Sequence, residues 1–248
     1  MNTTRIIAAI AILLMGLTAC AYRPVAGLIK PAPEEEQPGA DMIVADDGSV
    51  TYVEGRLEIR LRPLSDEELN RQFADYSTQG ARSVNPYTFA NSEFFATGET
   101  PSRFTVFRLS VKNYQYPKVR MSGDLVIESD NGRSYHALNS QQLDRYYRAY
   151  AIGYRGNEYG EYKERRSLLQ RTMFSFADDI FSGQESDGYV IFEPLADDVH
   201  DIHVRVLDIV TRFDYRGEPM EDVDVAYHFK RDIGRRYPDG RIDWIHQY

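Results

Sequence analysis

Arg103-Phe104-Thr105-Val106-Phe107-Arg108-Leu109-Ser110-Val111-Lys112-Asn113 alternates along its second half: Phe107, Leu109 and Val111 against Arg108, Ser110 and Lys112. Successive side chains of a strand point to opposite faces, so this period of two sets an apolar row against a core and a polar row toward water. A sheet with one greasy face needs a second layer over it. The fold therefore depends on how many runs of this kind the rest of the chain supplies.

It supplies several. Leu57, Ile59 and Leu61 alternate with Glu58, Arg60 and Arg62. Leu125–Glu128 and Arg133–Leu138 flank Asp130-Asn131-Gly132, and Asn-Gly between strand-like runs predicts a tight hairpin with both turn residues at positive φ. Gly188–Leu195 (GYVIFEPL) is a buried strand stopped at Pro194. Ile202–Phe213 is a long β-rich run, followed by a turn over Asp214–Pro219 that contains Gly217. Val223, Val225, Tyr227 and Phe229 alternate with Asp222, Asp224, Ala226, His228 and Lys230 as a half-buried final strand. Short strands divided by turns predict a mainly β chain, an antiparallel β-sandwich over residues 49–248.

Two interruptions are helical. After Pro63, Ser65-Asp66-Glu67-Glu68 is a capping box, in which the Ser65 hydroxyl accepts from the third helical amide and Glu68 reaches back. Leu69, Phe73 and Tyr76 then mark a short amphipathic helix. The second interruption is a tyrosine-rich helical insertion over about 139–173. Leu143, Tyr146, Tyr147, Tyr150 and Tyr154 share one face opposite Asp144, Arg145 and Arg148. A second helical stretch, about Glu158–Thr172, carries Tyr159, Tyr162, Leu169, Lys163, Arg165 and Arg166. Gly153 and Gly156 separate the two. Tyrosine joins an apolar body to a polar tip and is favoured in recognition surfaces. Tyr146, Tyr147, Tyr150, Tyr154, Tyr159 and Tyr162 are therefore the candidate partner-binding residues. The plainer alternative is that these rings seat the helices on the sandwich.

The N-terminus has a different character. Met1–Arg5 is polar with one positive charge, Ile6–Leu14 is apolar, and Leu17-Thr18-Ala19-Cys20 follows. This is the layout of a secretory signal, and the apolar run is shorter than the roughly 20 residues a membrane span needs. The four residues resemble the lipobox of bacterial lipoproteins. That resemblance implies removal of residues 1–19 and lipidation of Cys20, with the membrane as a partner through the acyl chains. Ala21, where an aspartate retains Gram-negative lipoproteins in the inner membrane, points to the outer membrane facing the periplasm. Cys20 is the only cysteine, so no internal disulfide can form. Residues 20–48, with Pro24, Pro31, Pro33, Pro38 and Glu34-Glu35-Glu36, read as a flexible tether.

The stretch Phe104–Arg231 resembles the immunoglobulin-like β-sandwich domains of many bacterial lipoproteins of unknown function. The likeness rests on the strand ending Val111-Lys112-Asn113, the Asn-Gly hairpin, and Gly183 followed by Gly188-Tyr189-Val190-Ile191-Phe192-Glu193-Pro194. It covers about half the chain and implies a fold and a setting, with no reaction attached.

A net charge of -9 argues against nucleic acid and against electrostatic docking on anionic lipid. No nucleophile elbow, phosphate loop or zinc motif is present, so neither catalysis nor a cofactor is expected. His200, Asp201 and His203 lie close in sequence, but His200 and His203 project from opposite faces of a strand, and no metal site is expected there. Asp178-Asp179 and Asp222/Asp224 offer hard oxygens without a calcium loop. The expected function is a non-catalytic interaction or assembly module that binds another envelope protein. The alternative is a glycan, peptidoglycan or small-ligand binder that uses the tyrosines.

Overall fold

The run quoted first becomes an interior strand of a five-stranded sheet, with neighbours on both sides. The computed structural model describes residues 22–40, 42–78, 80, 83–93, 100–153 and 158–246. The leader and the lipobox, Cys20 included, lie outside the described residues. In chain order the strands are β1 (Arg23–Ala26), β2 (Lys30–Pro31), β3 (Met42–Val44), β4 (Val50–Glu54), β5 (Leu57–Leu64), β6 (Thr105–Asn113), β7 (Lys118–Met121) and β8 (Leu125–Ser129). They continue with β9 (Ser134–His136), β10 (Ile180–Phe181), β11 (Gln184–Phe192), β12 (Asp201–Phe213), β13 (Pro219–Lys230), β14 (Ile233–Arg236) and β15 (Ile242–His246). The α-helices are α1 (Asp66–Gln72), α2 (Ser140–Gly153) and α3 (Glu158–Thr172).

The protein is mainly β, and its named strands pair antiparallel in three sheets. One runs β11-β6-β5-β4-β3. The second runs β10-β7-β12-β13-β2, with β8 and β9 attached through β12. The third is β1-β14-β15. The first two stack as a sandwich. Leu57, Ile59, Leu61, Phe107, Leu109 and Val111 from one meet Met121, Ile127, Ile202, Val204, Tyr227 and Phe229 from the other in a single buried cluster. At the opposite face of the five-stranded sheet the pattern splits. Near one end Arg108 pairs with Asp187 and Lys112 with Glu185 in water. Near the other, Leu64, Val106 and Ile191 turn outward and are covered by Leu69, Leu143, Tyr147, Tyr162 and Leu169 of the helices. The helices thus form a third layer that closes an apolar end of the sheet.

Local chemistry accounts for the joints. The Ser65 hydroxyl accepts from the Glu68 amide at 3.2 Å, as the capping box requires. The Glu68 carboxylate, however, turns to the Arg62 guanidinium instead of the Ser65 amide, since a charged partner is the stronger one. At the β8–β9 hairpin only Gly132 takes a positive φ, 77°. The Gly132 amide donates to the Ser129 carbonyl, and the Ser129 amide to the Arg133 carbonyl. This is a three-residue loop closed by a glycine bulge, not the two-residue turn the Asn-Gly pair suggested. Gly188 has a different task. A Cβ there would lie 2.3 Å from the Phe174 amide nitrogen, so only glycine lets the chain leaving α3 dock beside β11.

Two expectations are corrected. The Pro/Glu-rich stretch 20–48 is not a free tether over its described part, because β1, β2 and β3 all pair within sheets. Pro31 sits on an edge strand, where a missing N–H is tolerated. Beyond it the Gln37 side-chain amide replaces a strand. Its Nε2 donates to the carbonyls of Ala32 and His228, and its Oε1 accepts from the His228 amide, at 2.9, 2.9 and 3.0 Å. The chain also does not end its β structure at β13. Gly234 and the polar residues around it mask a period of two in β14. A Cβ at Gly234 would lie 2.7 Å from the Asp243 carbonyl, so glycine lets β15 approach. Among the described residues no helix is long and apolar enough to cross a membrane.

Candidate functional site

The helical insertion is built from its first residue. Asn139 caps α2: its Oδ1 accepts from the amides of Gln141 and Gln142, while its own amide donates to Gln142 Oε1. Leu143 and Tyr147, one turn apart, then face the sheet and are buried. Tyr146, beside Tyr147 in sequence, is rotated about 100° around the axis by the 3.6-residue turn. It is 37% exposed and packs its ring against Phe104.

The tyrosine stripe therefore divides. Tyr147 is 1% exposed; its phenol donates to the Pro86 carbonyl and receives a hydrogen bond from Arg103. Burial pushes that phenol up to about 12, with Arg103 pulling the other way. Tyr162 is also buried, and its phenol donates to Asp144 Oδ1 at 2.6 Å, tying α3 to α2. Neither ring can serve as the surface contact expected of it, because each fills a gap between the helices and the sheet. Tyr146 stays at the surface. Tyr150 and Tyr159 lie in α2 and α3, and Tyr154 lies outside the described residues. The basic group of α3 divides in the same way. Arg165 is fully buried and donates to the Ser83 carbonyl at 2.6 Å, while Arg166 stays exposed and reaches Asp144 at 3.4 Å.

A cleft of about 960 Å³ opens where α2 and α3 meet the sandwich. Its floor includes the buried Tyr147, Tyr162, Leu169 and Phe174. Gly123, at φ +87°, forms part of the far wall, with Phe176 against it. The rim carries Asn139, Gln141 and Gln170 as amides, with Asp124, Asp144, Arg145 and Arg166 as charges. Two carboxylates face two guanidiniums, so the rim has no strong sign. Asp144 is further balanced by Arg148 at 3.8 Å. Chemically this is a half-apolar trough edged by paired donors and acceptors, within the size range of small-molecule sites. The sequence pointed to the insertion but not to its partner wall, 122–124 and 174–177, which is brought there by chain segments with no motif of their own.

The candidate ligand groups also resolve. Asp179 is held by Lys118 and Arg120 at 3.0 and 2.7 Å, which keeps its carboxyl below the usual range, Arg120 contributing most. Asp222 and Asp224 meet Asp208 at the surface, where Asp224 accepts from Arg205 and from the Asp208 amide. His200, just before β12, does not join His203. Its Nδ1 meets the Arg231 carbonyl at 2.6 Å and its ring stacks on His246. His203 and Asp201 instead meet His228 on the neighbouring strand, a convergence hidden by a separation of twenty-five residues between the two histidines.

The chain matches no protein-family model, no curated protein and no solved structure.

Proposed function

We propose that this chain is a lipid-anchored protein of the bacterial cell envelope, held in the outer membrane through Cys20, and that its folded body is a non-catalytic binding module for a glycan or peptidoglycan-class ligand. The observation that carries the binding half is the cleft beneath α2 and α3, lined by the partly exposed rings of Phe176 and Tyr189 and by side-chain amides. Sugar rings present apolar C–H faces that pack on aromatic surfaces and hydroxyls that pair with side-chain amides. The balanced rim favours neutral or zwitterionic groups over a polyanion. The placement in the envelope is supported by the lipobox-like Leu17-Thr18-Ala19-Cys20 behind a short apolar run, and the immunoglobulin-like likeness of the sandwich fits the same setting. Docking of another protein on the tyrosine stripe is the weaker reading, because Tyr147 and Tyr162 are sealed beneath the helices.

The test is a calorimetric titration of the folded chain with soluble disaccharide-peptide fragments of peptidoglycan and with chito-oligosaccharides. Saturable binding is expected, weakened at least tenfold by Arg166→Ala or Gln170→Ala, both exposed positions whose loss spares the core. Absence of binding by either probe, or binding indifferent to both substitutions, removes the glycan reading.

A further inference from the structure

On the outer face of β12 and β13, away from the sandwich core, three side chains converge. His203 and His228 are directly opposed across the two strands, and their rings stack 4.4 Å apart, 11° from parallel. Asp201, two residues before His203, projects from the same face. Its Oδ1 lies 2.5 Å from His228 Nε2 and 3.3 Å from His203 Nε2. All three possible ligand atoms lie within 4.8 Å of one another.

The donor accounting at His228 is informative. Its Nδ1 lies 3.0 Å from the backbone carbonyl of Glu36, which can only accept, so Nδ1 carries the hydrogen. In that tautomer Nε2 turns its lone pair toward the Asp201 carboxyl, so the two atoms are placed to serve one cation. A backbone carbonyl fixing the far nitrogen of an imidazole is also the outer support that metal-bound histidines use to hold tautomer and orientation.

We propose that Asp201, His203 and His228 form a site for a divalent transition-metal ion of the zinc class. Two imidazoles and one carboxylate suit such an ion and are a poor set for calcium or magnesium, which take oxygen ligands. The nearly parallel rings direct their in-plane lone pairs side by side, and Asp201 Oδ1 lies closer to His228 Nε2 than two ligands of one tetrahedral ion, so closure of the site requires the carboxylate to draw back and one ring to turn. His203 is the one that can: its side chain is 45% exposed, whereas that of His228 is 9% exposed and held by Glu36. Three protein ligands leave a fourth position for water at the exposed side. The site's structural consequence is local. The segment from Pro33 to Gln37 lies over His228, tied through the Glu36 carbonyl, the Gln37 amide and the Lys230–Glu36 ion pair. A bound ion would stiffen that attachment of the N-terminal segment to the sheet.

The test uses the whole folded chain, titrated with Co²⁺ followed by visible absorption and with Zn²⁺ followed by calorimetry and thermal unfolding. One equivalent should bind, Co²⁺ should give ligand-field bands, and saturating Zn²⁺ should raise Tm, since a ligand of the native state stabilises it by mass action. His203→Ala, at a half-exposed position where the fold survives, should weaken binding at least tenfold and abolish the Tm rise. Asp201→Asn should do likewise, and His200→Ala, outside the cluster, should change neither. Absence of stoichiometric binding, or equal binding by wild type and His203→Ala, overturns the proposal.

Discussion

Tyr227 of β13 donates its phenol to the carbonyl of Ile59 on β5, 2.7 Å away, across the apolar interior of the sandwich. Both residues are fully buried. Ile59 lies in an interior strand between Tyr52 and Val111, so its backbone already takes part in the ladders and the phenol uses remaining acceptor capacity of the carbonyl. The bond fixes the lateral position of one sheet over the other, which apolar packing alone does not do. The same burial holds the phenol well above its ordinary pKa, so it remains a donor at every pH the fold survives.

Tyr227→Phe keeps the ring and removes the donor. The Ile59 carbonyl keeps its sheet environment, so the loss should be that of one hydrogen bond, about 0.5–1.5 kcal/mol. Tyr227→Ala also opens a cavity and should cost about 3–5 kcal/mol. Urea unfolding of the two variants checks the ratio. Equal losses would mean that the phenol's bond, and not the ring, dominates this position.

Asp66 gives a pH dependence of unusual sign for a carboxylate. Burial raises its pKa from 3.8 to about 6, with Ser102 and Arg103 opposing the shift. The native state therefore holds the proton more tightly than the unfolded chain. Stability from this group is highest below pH 3.8, falls as pH rises through the window up to about 6, and is level beyond. The full loss is at most about 3 kcal/mol, at 1.36 kcal/mol per pH unit. Asp66→Asn should remove that slope and make the protein more stable than wild type above pH 6, less roughly 0.3–1 kcal/mol for a negative charge lost from the first turn of α1. Denaturant midpoints at half-unit pH steps from 4 to 7 measure it. An unchanged slope in the variant would assign the effect to another group.

These cases mark where the fold could be read from the chain and where it could not. The strands β5, β6 and β13 were legible because each buries one face on the same core, so hydrophobic side chains recur every second residue. The helices were legible from capping at Ser65 and from the 3.6-residue spacing of Leu143 and Tyr147. Composition misled over 23–44, where proline and glutamate suggest a solvated chain, because edge strands and one glutamine side chain can supply the missing pairing. The tyrosine stripe was visible as a stripe, but which rings are covered depends on where the sheet meets the helix, and that separates Tyr146 from Tyr147. The meeting of His203 with His228 depends on cross-strand register, which the bulges of the β12–β13 hairpin help to set and which no local spacing encodes.

The incorporation of β1 into a sheet sharpens what lipidation at Cys20 would do. Only Ala21 and Tyr22 separate that cysteine from Arg23, the first residue of β1. Three residue steps of extended chain reach about 10 Å, so an acyl anchor at Cys20 would hold the β1-β14-β15 sheet close to the bilayer instead of on a thirty-residue leash. Cys20→Ser in the expressing bacterium should abolish incorporation of labelled fatty acid and shift the protein from the membrane to the soluble fraction. Limited proteolysis of the membrane-bound wild type should at the same time be slow within residues 23–44, since β1, β2 and β3 pair within sheets and the Gln37 side chain is tied to β13. Retention of label in Cys20→Ser would sink the anchor at this residue, and rapid cutting within 23–44 would restore the leash.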